Sequence, residues 1–384
     1  MIRTITIEKK TVHFGEGSLL FLAEHLSKMK INQVFLCTDS NLIQLPWFSE
    51  FNRVLIQHNI QPVFFFDITE NPKVHEIRKG AELLKQYPDI PVIAIGGGSV
   101  LDATKMITLI SEHDGDILDY AMRKENRKYF EKKTHYLIAV PTTAGSGSEM
   151  DSGATVINDE GHKISIADAL MSYDAVYEDP SLLKSCPKHI LAASAFDAFS
   201  HSYEALLHDS ERILDFVATE AIRLVLTHLE DGYITGDSES LNGLLKASFL
   251  SGCVLGMDLP NGGMLIHSLS LPLAETYHLS HGHALAICAV PVSRMIYDKH
   301  PEHIDEIAER VLGERNGTKL IEVIRKICIT TDLIKPERIQ MNDDSIEAMS
   351  NLAVKSNTTT KNPILPFNKE MCQDLYQRIA KGNL

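Results

Sequence analysis

Between the start of the chain and about Asp179, short apolar runs of strand length alternate with stretches of helical period, which restricts this half to a βαβ architecture with a parallel sheet. The runs are Val34-Phe35-Leu36-Cys37-Thr38, Pro62-Val63-Phe64-Phe65-Phe66, Val92-Ile93-Ala94-Ile95 and Tyr136-Leu137-Ile138-Ala139-Val140, and Leu19 to Met29 has the spacing of a helix before the first of them. Each run stops at polar, glycine or proline residues. The loops opening at Asp39, Asp67, Gly96 and Pro141 therefore lie at the carboxyl edge, where open α/β sheets bind ligands.

Past Pro180 the texture changes to Ala/Leu/Ser-rich stretches with helical spacing, such as Ile190 to Leu207 and Ile213 to Leu229. The expected organisation is an α/β domain over 1–184 and an all-helical domain over 185–384, with Pro180 and Pro187 bracketing the division. A length of 384 residues suits two domains, and 44% hydrophobic with 23% charged residues excludes a disordered chain. The balance of 37 basic against 51 acidic residues, with only a scattered basic run from Arg123 to Lys133, argues against nucleic acid as a partner. Six cysteines without a Cys-x-x-Cys pair read as buried thiols of a cytoplasmic protein. Met1 to Glu8 alternates like a strand rather than a signal peptide, and no segment has the length of a membrane span.

Two loops carry the pattern of a nucleotide site. Gly96-Gly97-Gly98-Ser99 follows a strand and precedes a helical stretch from Val100 to Ile107. Glycine there lets the backbone approach a pyrophosphate, and a helix N-terminus offers free amides and partial positive charge. The loop fits neither G-x-G-x-x-G nor a P-loop, and by itself it is equally a tight turn without a ligand. Pro141 to Glu149, with Thr142, Thr143, Gly145, Ser146 and Gly147, repeats the logic after the next strand. Asp39 at a strand end can bind a ribose 2′-hydroxyl and repel a 2′-phosphate, favouring NAD over NADP; it is also an ordinary turn residue.

Asp197 and His201 stand four residues apart, so on a helix they share a face, an arrangement that suits a metal but taken alone is more often a surface pair or a satisfied buried histidine. His267, His278, His281 and His283 crowd into one later segment. One carboxylate with imidazoles and no nearby thiolate suits Fe²⁺ or Zn²⁺ with a position open to substrate. Such an ion polarises an alcohol or carbonyl oxygen, and beside a nicotinamide it supports hydride transfer.

Together these motifs resemble the group III, or iron-containing, alcohol dehydrogenases along nearly the whole chain. The likeness runs through Phe14-Gly15-Glu16-Gly17, Thr38-Asp39, Asn71-Pro72, Gly96 to Asp102, Pro141 to Glu149, Asp179-Pro180, Asp197 to His201, His281-Gly282 and Asn362-Pro363. The resemblance implies a dehydroquinate-synthase-like fold, with a dinucleotide-binding α/β domain followed by an all-α metal-binding domain. It also implies metal ligation by Asp197, His201, His267 and His281, leaving His278 and His283 as non-ligands. NAD contacts are implied for Gly97, Gly98, Ser99, Asp102, Thr142, Thr143 and Ser146, with Asn71, Lys163 and Leu183 at neighbouring cofactor positions and Asp39 at the position that accompanies NAD preference. Many members form homodimers or larger homo-oligomers.

Two positions depart from the family pattern. Leu271-Pro272 stands where a His-Pro pair is usual, removing an imidazole, and Leu285 stands where asparagine is usual. The His281-Gly282-His283-Ala284 run is closer to the branch containing phosphonoacetaldehyde reductases. His283 is expected either to contact substrate or to hydrogen-bond a neighbouring helix. The resulting expectation is an NAD(H)-linked, metal-dependent alcohol dehydrogenase or aldehyde reductase acting on a small alcohol or aldehyde, including anionic ones such as phosphonoacetaldehyde. The alternatives are a non-redox metal-dependent lyase of the same fold and a non-catalytic NAD-binding protein.

Overall fold

The computed structural model describes residues 10–207, 213–258, 264–334, 339–356, 364–365 and 367–382; the Met1 to Glu8 stretch and Asn362-Pro363 lie outside them. The chain divides into two compact units, Met1–Cys186 and Pro187–Leu384.

The first unit runs β1 (Thr11–Phe14), α1 (Ser18–Lys28), β2 (Gln33–Cys37), α2 (Pro46–Gln57), β3 (Gln61–Phe65), α3 (Val74–Leu84), β4 (Val92–Gly96), α4 (Gly98–Ser111), β5 (Leu137–Pro141), β6 (Gly153–Ile157), β7 (Lys163–Ala167) and β8 (Ala175–Glu178). Six strands form one sheet in the order β1-β8-β5-β4-β2-β3, and every neighbouring pair is parallel. Alternation along each strand sends side chains to two separate cores. Val34 and Leu36 of β2, with Ile93, Ile95, Ile138 and Val140, pack against α1 and α2. Phe35 and Cys37, with Val92, Ala94, Leu137 and Ala139, pack against α3 and α4. Helices thus cover both faces, which is why β4 and β5 are buried at every residue and read as unbroken apolar runs.

The four expected runs are β2 to β5, each within one residue of its expected ends. Strands β1 and β8 and the β6–β7 hairpin were not among the expected strands. β8 is buried throughout yet ends in Glu178, and β1 is a four-residue edge strand with mixed polarity. In the hairpin, β6 alternates half-buried and buried positions over five residues and β7 is partly exposed, too briefly to stand out from a loop.

From β2 the chain moves outward to β3, then returns to the opposite side of β2 as β4 and continues outward through β5. The direction of winding therefore reverses between β2 and β4, and a crevice opens at their carboxyl ends, where Asp39 and Gly96-Gly97-Gly98 lie.

The second unit contains α5 (Lys188–Leu206), α6 (Asp215–Ile234), α7 (Ser238–Asp258), α8 (Leu265–Tyr277), α9 (His281–Lys299), α10 (Pro301–Leu312), α11 (Gly317–Thr330), α12 (Asp343–Ser356) and α13 (Lys369–Ala380), and no strand among the described residues. Helix α5 packs against α6, α7, α8 and α9, so most of its circumference is buried and its apolar residues do not form a single stripe. Polar ties join these helices: Ser251 Oγ donates to Ala198 O at 2.8 Å, Tyr203 Oη and Ser293 Oγ share a hydrogen bond of 2.9 Å, and Tyr376 Oη donates to Leu269 O at 2.8 Å. All six cysteines are free thiols, five of them buried. No described helix is long and apolar enough to cross a membrane.

Candidate metal centre and nucleotide crevice

In the first unit the two glycine-bearing loops lie against each other. Thr142 N–H donates to Gly96 O at 3.0 Å as β4 and β5 end side by side. A Cβ on Gly97 would stand 3.2 Å from the Thr143 side chain, and one on Gly98 would stand 2.8 Å from Cβ and Oγ of Ser146. Glycine at Gly98 is therefore a steric requirement of the paired loops, and at Gly97 the fit is tight. Gly97 caps α4, whose first amides emerge at the crevice. Ser99 Oγ accepts from Asn71 N–H at 3.2 Å, bringing in the loop after β3, where Asn71 adopts a left-handed φ of 53°. Ile157, the register partner of Lys163, donates its N–H to Pro72 O, so the hairpin closes on the same loop. Leu183 is buried in the short turn Pro180–Ser185. Asp39 lies at the end of β2, where its Oδ1 accepts from Asn41 N–H at 2.8 Å and Leu42 N–H at 3.2 Å. The turn-residue role thus holds at Asp39, beside its place in the crevice.

Asp102 faces the same region from the first turns of α4. Its Oδ1 accepts from Ser148 Oγ at 2.6 Å and its Oδ2 from Thr155 N–H at 2.8 Å. Burial pushes its carboxyl up to about 6 against the pull of Lys105. Lys105, fully buried, donates to Ser148 Oγ at 2.9 Å, Asp151 Oδ1 at 2.5 Å and Gly153 O at 2.8 Å. This buried ammonium ties the second loop and the hairpin to α4. Glu76 is a further tether, accepting from Thr69 N–H, Thr69 Oγ and Lys73 N–H on either side of Asn71. Neither tether was among the expected site residues, because a lysine and a glutamate on helical stretches look like solvated surface groups until their burial is known.

In the second unit, α5 presents Asp197 and His201 one turn apart, α8 presents His267, and α9 begins at His281. Ligand atoms of Asp197, His267 and His281 all lie within 4.8 Å of one another. His201 is not part of that mutual set, but its Nε2 stands 3.4 Å from Asp197 Oδ1, and its ring stacks on His267 with centroids 4.6 Å apart. The Nε2 atoms of His267 and His281 stand 3.3 and 3.5 Å from the same carboxylate oxygen. Three imidazole nitrogens therefore surround Asp197 Oδ1. Burial alone would raise the Asp197 carboxyl, but His201, His281 and His267 outweigh it and hold it below the carboxylate range. For His267, burial favours the neutral ring, yet Glu204 and Asp197 raise it to about 9.

Glu204, 2% exposed, sits on α5 seven residues after Asp197 and binds the start of α8. Its Oε1 accepts from the backbone N–H groups of Ile266 and His267, and its Oε2 pairs with His267 Nδ1. Asp197 and Glu204 bring two formal negative charges to three imidazoles that are neutral when they act as ligands. With the rings neutral, a divalent cation would balance this set.

The other crowded histidines stand apart. His278 is the left-handed C-cap of α8, and His283 Nδ1 pairs with Ser280 Oγ at 2.6 Å at the N-terminus of its own helix. Leu271 is partly exposed on α8, one turn beyond His267, and Leu285 is fully buried. Gly282 matters for packing: a Cβ there would meet the backbone of Ala193 on α5.

Family models match both halves of the chain: iron-containing alcohol dehydrogenase over residues 9–180, and the C-terminal part of the same family over 191–380. The chain is 27% identical over 385 residues to a choline dehydrogenase of Bacillus subtilis, covering 97% of this chain and 94% of that protein. It is 28% identical over 301 residues to alcohol dehydrogenase 4 of Saccharomyces cerevisiae, covering 77% of each. A solved structure of a sulfoacetaldehyde reductase from Bifidobacterium kashiwanohense in complex with NAD⁺ shares the fold with a TM-score of 0.88, at 22% identity over 99% of both chains.

Proposed function

The chain belongs to the iron-containing alcohol dehydrogenase family, and from that premise we propose that it is an NAD(H)-linked aldehyde reductase or alcohol dehydrogenase carrying one divalent cation. Membership makes it an oxidoreductase, so the lyase and non-catalytic alternatives fall away.

The observation that carries the reading is the convergence of imidazole nitrogens on the buried Asp197 carboxylate, with a second buried carboxylate behind it. In this reading Asp197, His201, His267 and His281 hold Fe²⁺, with Zn²⁺ as the other candidate. When bound, the cation supplies Lewis-acid polarisation of a carbonyl or carbinol oxygen, and the nicotinamide supplies or accepts the hydride. Gly97 and Gly98 keep the crevice open for close backbone approach, and the free amides of α4 meet a pyrophosphate. Thr142, Thr143 and Ser146 line the facing loop, Asn71, Ser99, Asp102, Lys163 and Leu183 complete the cofactor surroundings, and Asp39 favours a ribose hydroxyl over a phosphate. Leu271 offers no proton donor one turn beyond His267, so proton exchange there falls to water or to ligand hydroxyls.

The substrate in this reading is a short aldehyde bearing an anionic group. Its support is the His281-Gly282-His283-Ala284 run, which resembles the phosphonoacetaldehyde reductase branch. A cytoplasmic homodimer or larger homo-oligomer completes the proposal, checked by light scattering. The test is anaerobic purification, elemental analysis, and NADH oxidation against plain, carboxylate-, phosphonate- and sulfonate-bearing aldehydes, with and without added Fe²⁺ or Zn²⁺. Metal-dependent turnover, strongest on an anionic aldehyde, is expected. Undiminished turnover by metal-stripped Asp197→Ala protein refutes the metal reading, and a preference for plain aldehydes refutes the substrate reading alone.

A further inference from the structure

We propose that Glu204 is a positioning residue that sets which nitrogen of His267 carries the proton, and thereby directs the Nε2 lone pair at the cation; this rests on the metal reading above. Glu204 is buried, and three nitrogens face it: the backbone N–H groups of Ile266 and His267 on Oε1, and the ring Nδ1 of His267 on Oε2. Backbone amides can only donate, so Oε1 must accept. An ionised carboxylate also accepts at its other oxygen, which requires the hydrogen of a neutral His267 to reside on Nδ1. The lone pair then lies on Nε2, the atom that faces Asp197 Oδ1 at 3.3 Å. The same bonds hold the first turn of α8, so the helix that carries His267 and the ring itself are oriented by one side chain.

A glutamine at this position separates the two tasks. Its amide oxygen can still accept from the α8 amides, but its NH₂ group then faces Nδ1 and requires that nitrogen to be an acceptor. The ring proton moves to Nε2, where it opposes a cation. Glu204→Gln therefore keeps the helix cap and inverts the tautomer, whereas Glu204→Ala loses both.

The experiment uses full-length protein stripped of metal and Zn²⁺ as the probe, with the dissociation constant from chelator competition and apo stability from urea unfolding. The expected result is one Zn²⁺ per chain in wild type and about 10- to 100-fold weaker binding by Glu204→Gln, the range seen when a ligand's hydrogen-bond partner is altered. Apo stability should remain nearer wild type in Glu204→Gln than in Glu204→Ala. Wild-type affinity in a folded Glu204→Gln protein overturns the role of Glu204 and leaves the metal reading intact. Absence of Zn²⁺ and Fe²⁺ binding by wild type overturns both. Selective ¹⁵N-histidine spectra of the Zn²⁺-loaded wild type give an independent check if the variant does not fold. Protonated Nδ1 with ligated Nε2 at His267 is expected, and the opposite assignment overturns the proposal.

Discussion

Gly282→Ala tests whether the approach of two helices sets the metal centre. The new Cβ would lie 2.5 Å from the carbonyl carbon of Ala193 and 2.6 Å from its Cα, and nearer still to its oxygen. Carbon atoms pack comfortably at about 3.5 Å, so α9 must retreat from α5 by roughly 1 Å, or its first turn must unwind. The obstacle is backbone inside a packed helix pair and cannot rotate away. Both accommodations displace His281, the neighbour of Gly282, relative to Asp197, four residues after Ala193. Metal–ligand distances tolerate about 0.2 Å, so a displacement of this size removes His281 as an effective ligand. Overpacking of this kind costs about 1–3 kcal/mol of stability, leaving a folded protein in which to measure binding. Chelator competition with Zn²⁺ should show affinity lowered by about 10-fold or more, alongside a reduced urea midpoint. Wild-type affinity together with wild-type stability would refute the argument that the glycine holds α9 against α5.

Asp197→Ala should abolish metal retention by elemental analysis while leaving NAD binding, measured by calorimetry, within about twofold, because Asp197 contributes no group to the nucleotide loops of the first unit. Gly98→Ala should lower stability by about 1–3 kcal/mol in urea unfolding through overpacking against Ser146, and Ser146→Gly in the same chain should restore part of it; a single variant with unchanged stability contradicts the paired-loop geometry. Lys105→Met leaves Asp151 and Asp102 without their cation and should cost about 3–5 kcal/mol by urea unfolding. Glu149 is buried and its carboxyl is pushed up to about 7 from 4.5, so the folded state binds its proton more tightly than the unfolded chain. Stability is then lost as pH rises from about 4.5 to about 7, and Glu149→Gln should stabilise the protein by on the order of 3 kcal/mol near pH 8 and by almost nothing near pH 4; equal effects at both contradict the burial argument.

The legible parts of this molecule were those in which one segment carries the whole signal. Strands β2 to β5 are covered on both faces, so their apolar runs are continuous, whereas β8 ends in the buried Glu178 and gives no such run. Asp197 and His201 share a face because an α-helix repeats every 3.6 residues, and Glu204 falls on that face two turns along. Its partner α8, the helix it caps, is more than fifty residues further along the chain, so no single segment carries that role. Lys105 looks like any helical lysine until the loop and hairpin close over it.

The sequence by itself determined the parallel α/β unit, the helical unit and the loops that end the central strands, because local period and apolar run length are properties of contiguous chain. Spacing could not separate the crowded histidines: the family resemblance pointed to His267 and His281, and the fold brings those two to Asp197. That convergence depends on α8 and α9 meeting α5, with Gly282 permitting close backbone approach and Glu204 orienting the first turn of α8. His278 and His283 are taken up by a helix cap and a serine hydroxyl. Only tertiary packing can bring three helices to one carboxylate oxygen, since their crossing is set by side chains distant in sequence.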